Sequence, residues 1–242
     1  MHPLIPIHVA AGGIALIAGA AALVARKGGR PHGRAGTWFF AAMLVMGSTG
    51  AVIAFAKPER GTAMIGILTC YLVATSWMAA RRRDGRAGTF EAAGFVIALG
   101  CAAALLTIGL LGLREASGRL DLLPAPIHFP FAALAALAAA LDLNFILRQE
   151  ISGVQRVGRH LWRMSAALLI AAFSFFLGQQ RSMPAFIQGS LLLYLPPLAV
   201  LAAMIFWIFR ARFSSAFHWV APPRRSRRAA VSLPVLAPEH GG

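Results

Sequence analysis

Residues 126–180 read PIHFPFAALAALAAALDLNFILRQEISGVQRVGRHLWRMSAALLIAAFSFFLGQQ, two apolar runs joined by a polar, basic loop. Crossing the hydrocarbon of a bilayer takes about 20 mostly apolar residues in a helix, and each run approaches that length. A histidine stands near the start of each: His128 opens the first, and His160, with Arg163, opens the second. Asp142 and Asn144 lie deep within the first run. The pattern predicts two membrane helices with most of the unusual chemistry of the chain placed on them.

Working outward, five more runs have this character, giving stretches at 4–25, 36–56, 61–80, 89–113, 126–147, 161–178 and 186–209. The sixth is short and is expected to start earlier, near Val157. The expected fold is all-α, a polytopic bundle of seven transmembrane helices. With 58% hydrophobic and 13% charged residues, the composition excludes an ordinary soluble domain.

The formal charge of +15 raises the question of nucleic acid, but the basic residues fall in short clusters between apolar runs. That is the distribution of topology signals, not of a nucleic-acid-binding face. Alternate connections hold 18 of the Lys and Arg residues, among them Arg26, Lys27, Arg81, Arg82, Arg83, Arg156, Arg159 and Arg210, and the other connections hold 5. By the positive-inside rule the N-terminus faces out and the C-terminus faces the cytoplasm of a bacterial inner membrane. The first run carries no charge before its basic cluster, which predicts a retained helix rather than a cleaved signal. Residues 1–220 are read as the seven-helix domain and 221–242 as a flexible basic cytoplasmic tail on anionic lipid. Cys70 and Cys101 lack metal-ligand spacing, and His2, His218 and His240 are assigned no chemistry.

Several local features carry structural expectations. Gly12, Ala15, Gly19 and Ala22 share one helical face and invite close approach of a neighbour. Pro31 suits a first helical turn, and Pro196-Pro197 is expected to kink the seventh helix. Helices three and four carry little polar chemistry and are assigned to scaffold.

The N-terminus holds a fainter version of the opening layout. Ile7-His8 aligns with Ile127-His128, and Pro31-His32-Gly33-Arg34 with the segment at His160, which suggests two helix pairs in the same orientation. His8 and His128 then share the outer end, and His32 and His160 the inner end. Each histidine alone is more simply an interfacial residue with a wet tip. Two imidazoles on separate helices, however, are what a six-coordinate haem iron requires. On this reading His8 with His128, and His32 with His160, ligate haem b, and Arg34 and Arg163 meet propionates. Asp142 orients a ligand imidazole. It lies 14 residues after His128, hence on nearly the same helical face, and a buried carboxylate needs a partner. Arg163 is the one expected.

Electron transfer with a quinone or a redox protein, in contact with the lipid bilayer, follows from that reading. Gln179-Gln180 offer a polar site for a quinone, although a helix terminus predicts the same residues. Two other classes stay open: a proton-coupled small-solute transporter using Asp142, Asn144 and Arg163, and a non-enzymatic membrane subunit or scaffold. A three-ligand metal hydrolase is hard to build from histidines near opposite faces.

The stretches Pro6-Ile7-His8-Val9-Ala10-Ala11-Gly12 and Pro31-His32-Gly33-Arg34-Ala35-Gly36-Thr37 resemble an uncharacterised bacterial family of multi-spanning membrane proteins, a predicted-membrane domain of unknown function. Its members show an early H-x-x-x-G and then an H-[RG]-x-x-G-like element; Gly33 stands here where Arg is usual. The segment from Arg159 to Gln180 looks like a later signature of the same proteins. The resemblance implies a polytopic membrane protein and no settled activity. The helix count and His pairs are also loosely similar to two-haem cytochrome b bundles, an analogy of architecture alone.

Overall fold

The structure is a computed structural model that describes residues 3–82 and 85–213. The expected basic tail at 221–242, with Arg83, His2, His218 and His240, lies outside the described residues. Among the described residues seven α-helices follow in order: α1 Leu4–Val24, α2 Arg30–Ala56, α3 Arg60–Arg81, α4 Thr89–Gly112, α5 Ala125–Arg148, α6 Gly153–Phe176 and α7 Leu195–Phe213. Among the described residues there is no strand, only an isolated antiparallel bridge between Arg86 and Glu150. The all-α reading holds.

Six of the helical segments are long and apolar enough to cross a membrane. α6 has the length but carries Arg156, Arg159, His160 and Arg163 in its first half, so its composition falls short. It begins at Gly153, earlier than its apolar run, because Ser152 accepts from the Gln155 amide while the Gln155 side chain accepts from the Ser152 amide. That reciprocal cap satisfies two donors at the helix start.

α3 sits at the centre, packed against α2, α4 and α6. α1 packs on α2, α4 on α5, and α6 on α7. Of the small-residue face expected on α1, Ala15 and Gly19 are buried, with Ala11 and Ala18 beside them, while Gly12 and Ala22 are half-buried; a Cβ on Gly19 would meet Leu168 of α6 at 2.6 Å and Phe39 of α2 at 3.1 Å. α2 and α3 cross closely as well, backbone against backbone, since a Cβ on Gly66 would come within 2.8 Å of the Gly47 carbonyl. Large side chains such as Ile17, Val24, Val96 and Leu147 point outward around the bundle. In water so continuous an apolar surface would be untenable; in lipid it is the expected exterior.

Two expectations are revised. Pro196 and Pro197 fall in the first turn of α7, where a missing amide costs nothing, so they start the helix and do not kink its middle. The run expected from 186 begins as short 3-10 segments, Ala185–Ile187 and Leu191–Tyr194, before α7 proper. The proposed equivalence of the two helix pairs also weakens. α1 and α2 touch along their length, whereas α5 packs on α4 and α6 on α3, leaving the gap between α5 and α6 to be bridged by arginine side chains.

Candidate functional site

Asp142 is fully buried, in line with His128, Ala132, Ala135, Ala138 and Ala139 on the inward face of α5. Arg159 Nη1 and Arg163 Nη2 both reach its Oδ1 at 2.6 Å from α6. The Tyr71 hydroxyl of α3 donates to Oδ2. Arg163 goes on to donate to Thr75 Oγ1 at 2.5 Å, while its Nε is buried without a partner. Its guanidinium also lies 5.2 Å over the Tyr71 ring and 5.1 Å over Trp162. Asp142 therefore meets the arginine expected of it, plus a second arginine and a tyrosine. It does not touch an imidazole.

Next to Thr75 on α3, Ser76 holds His160. Ser76 Oγ donates to the His160 carbonyl at 2.8 Å, and His160 Nδ1 lies 3.1 Å from Ser76 Oγ and 3.2 Å from the Ser76 carbonyl. His32 Nδ1 lies 3.0 Å from the Ala22 carbonyl at the end of α1. A ring nitrogen facing a carbonyl must carry the proton, which leaves Nε2 of each ring with a free lone pair. The two rings stand edge to face with centroids 6.4 Å apart. The inner histidines are thus brought together.

They line one cavity of ≈ 450 Å³ between α1, α2, α3, α6 and α7. Its walls are mostly apolar, with Phe39, Trp77 and Trp207 as broad faces and Lys27, Arg81 and Arg156 among its basic groups. A Cβ on Gly33 or Gly36, both of which border the cavity, would meet nothing within 4 Å. Lys27 Nζ caps α1 by donating to the Ala22 and Leu23 carbonyls at 2.8 and 2.6 Å, and lies 4.6 Å over Trp207. Arg34 is exposed and does not line the cavity.

The outer histidines are not brought together. His8 Nδ1 sits 2.9 Å from the Met46 carbonyl, with its ring against Gly50 of α2. His128 is fully buried at the other side of α3, its Nδ1 3.3 Å from the Ala125 carbonyl. Its Nε2 has no hydrogen-bond partner and lies 3.6 Å from Asp121 Oδ1. A Cβ on Gly61 would fall 2.1 Å from that Nε2. The nitrogen needed for a metal therefore abuts backbone, with Asp121 Oδ2 already accepting from the Gly61 amide at 2.6 Å.

Tyr71, Thr75 and Ser76 are the residues that sequence reasoning missed, having set α3 aside as scaffold. The signal was partial: positions 71 and 75 share one helical face, while 76 lies about 100° round from 75. Among the described residues no group of three His, Cys, Asp or Glu side chains is placed to hold a metal ion. Gln180, considered as a quinone contact, accepts from the Gly189 amide at 3.2 Å and so ties its own loop.

Residues 5–116 match a family described as Predicted membrane protein (DUF2306). The match takes in His8, His32 and the first four helices; the segment from Arg159 to Gln180 lies beyond it. No curated protein and no solved structure matches the chain. The multi-spanning membrane character expected from the sequence is thus supported by the matched family and by the six long apolar helices.

Proposed function

We propose that this integral membrane protein holds one b-type haem between His32 and His160 and serves in electron transfer. The observation that carries the reading is the pair of imidazoles facing one cavity, each with Nδ1 engaged by a backbone carbonyl and Nε2 free. The two rings stand on separate helices with centroids 6.4 Å apart, so His32 and His160 would be the residues to hold the iron. Carbonyl contacts at Nδ1 fix the tautomer and ring direction and raise the basicity of Nε2.

The remaining lining suits the same group. Phe39, Trp77 and Trp207 offer apolar faces to a macrocycle, and the open space beside Gly33 and Gly36 leaves room for its edge. Arg81 and Arg156, both bordering the cavity, are suited to carboxylates such as propionates, a role that exposed Arg34 is poorly placed to fill. When bound, haem carries single electrons between ferric and ferrous iron. The chain would contribute two imidazoles, a mostly apolar cavity and basic groups at its border. By the positive-inside rule that basic border faces the cytoplasm, with the N-terminus out, in a bacterial inner membrane. A quinone or a redox protein is the expected electron partner.

The transporter reading has less behind it. Asp142 already takes two guanidiniums and a hydroxyl, and the small cleft bordering Arg159 holds a water-sized group. The outer pair, His8 and His128, drops out of the haem proposal because each ring is held by different neighbours.

The test is the visible spectrum of protein purified in detergent after expression with ample haem, oxidised and then dithionite-reduced. Sharp reduced bands are expected in the parent, in His8→Ala and in His128→Gln, and their loss in His32→Ala and His160→Ala with the fold intact by circular dichroism. A colourless, monodisperse parent protein overturns the proposal and leaves the scaffold reading.

A further inference from the structure

The ends of α3 and α5 and the starts of α4 and α6 meet at the same face of the bundle, beside the histidine-lined cavity but distinct from it. Two loops are stitched together there: the Ala87 amide donates to the Gln149 carbonyl at 3.1 Å, and the Ile151 amide to the Gly85 carbonyl at 3.0 Å. Gly85 has φ +64°, and a Cβ on it would lie 2.8 Å from the Ile151 carbonyl, so the stitch requires glycine. Between these loops and α3 lies a cleft of ≈ 20 Å³ bordered by Arg82, Arg86, Arg156 and Arg159.

Among the described residues the charges around it do not balance. Glu91 borders the cleft and takes Arg82 Nη1 at 3.2 Å, and Asp142 lies deeper, shared by Arg159 and Arg163. Four guanidiniums thus border the cleft, and the two buried carboxylates near it among the described residues are already engaged; Glu150 is exposed on the stitched loop and Arg86 is bound there through its backbone. Arg156 spends one donor on the Arg82 carbonyl at 2.7 Å. The first turns of α4 and α6 add the positive ends of two helix dipoles at this face. Clustered positive charge held partly out of water is costly until an anion joins it.

We infer that this cleft binds the phosphate of an anionic ligand, either a phosphodiester headgroup or free phosphate. The volume admits one water-sized group, which is the size of a single phosphate oxygen. The rest of the group sits at the mouth, where Arg82 and Arg86 are accessible. Guanidinium forks match phosphate oxygens in pairs. Arg156 borders both this cleft and the histidine-lined cavity, so the inference is read on Arg82 and Arg86, which border the cleft alone.

The full chain, delipidated in detergent and placed in phosphatidylcholine nanodiscs, is titrated with inorganic phosphate by calorimetry. In parallel, chain taken from equimolar phosphatidylcholine and phosphatidylglycerol vesicles is examined by native mass spectrometry for retained lipid. Preferential retention of phosphatidylglycerol assigns the site to a headgroup; phosphate binding without that preference assigns it to a free anion. Either signal is expected to fall about tenfold in Arg86→Gln and Arg82→Gln, the loss of one charge-assisted hydrogen bond, and to persist in Arg34→Gln at the same end. Arg86 makes no side-chain contact that folding needs among those described, so its variant remains informative if Arg82→Gln does not fold. Neither signal in the parent, or an equal signal in Arg86→Gln, overturns the inference.

Discussion

Asp142 keeps a carboxylate where water does not reach, and the donors around it are what permit this. Two guanidiniums and a phenol occupy its oxygens, so removing the carboxylate strands charge instead of merely deleting a bond. Losing one partner of a buried ion pair typically costs about 3–5 kcal/mol. Asp142→Ala should therefore depress the thermal midpoint in detergent far more than Tyr71→Phe, which gives up one hydrogen bond to a charged group worth about 2 kcal/mol. Equal midpoints for the two variants would show that solvent reaches the cluster. The need for a partner to Asp142 was legible in the sequence, because a deep carboxylate cannot stand alone, and Arg163 was its natural answer. Arg159 was not legible, because a basic residue near a helix start reads equally well as a topology signal. Nor was the role of Arg34: its position near His32 suggested a propionate contact, but the helix turns it outward.

At the scale of helices, closeness is set by glycines, and what stands opposite decides how a methyl group is received. A Cβ on Gly66 of α3 would meet the Gly47 carbonyl at 2.8 Å and the Ala51 amide at 3.1 Å, both backbone, so Gly66→Ala must push α2 and α3 apart. Gly19 on α1 faces mainly the tips of Leu168 and Phe39, and a leucine can change rotamer. Gly66→Ala is expected to cost about 1–3 kcal/mol, the usual range for overpacking, and Gly19→Ala less, as read from parallel thermal melts; the reverse order would place the tight crossing at α1. Helix existence was readable from apolar run length, but not every start: α6 begins at its cap, before its apolar run, and α7 begins after the 3-10 segments that open the seventh run. Helix adjacency was not, because run length and charge carry no information on which faces meet: α3 looked like filler and proved to be the centre. Pro196-Pro197 shows the same gap, since a proline pair signals a kink or a start, and only the preceding 3-10 turns decide for the start.

For the whole molecule the question is how many times the chain crosses, and α6 is where it turns. Its basic first half falls short of the composition of a lone membrane span, yet Arg159 and Arg163 spend their charge on Asp142 and His160 is held by Ser76. Inside the bundle these polar groups are paired, Arg163 Nε excepted, so the low hydropathy of the helix does not keep it out of the membrane. If α6 crosses, the α4–α5 and α6–α7 connections lie on one side and the start of α6 on the other. Cysteine labelling reads this directly. With Cys70 and Cys101 replaced, single variants at exposed Ser117, Gln155 and Ser182 are treated on intact cells with a membrane-impermeant maleimide. The positive-inside distribution predicts labelling at Ser117→Cys and Ser182→Cys, and at Gln155→Cys only after the cells are opened. Should Ser182→Cys behave like Gln155→Cys, α6 does not cross, and the basic mouth of the histidine cavity loses its assigned side. The charge alternation argues against that outcome, because a missing crossing would leave Arg210 and Arg212 opposite Arg148 and Arg156 and break an otherwise regular 18-to-5 asymmetry.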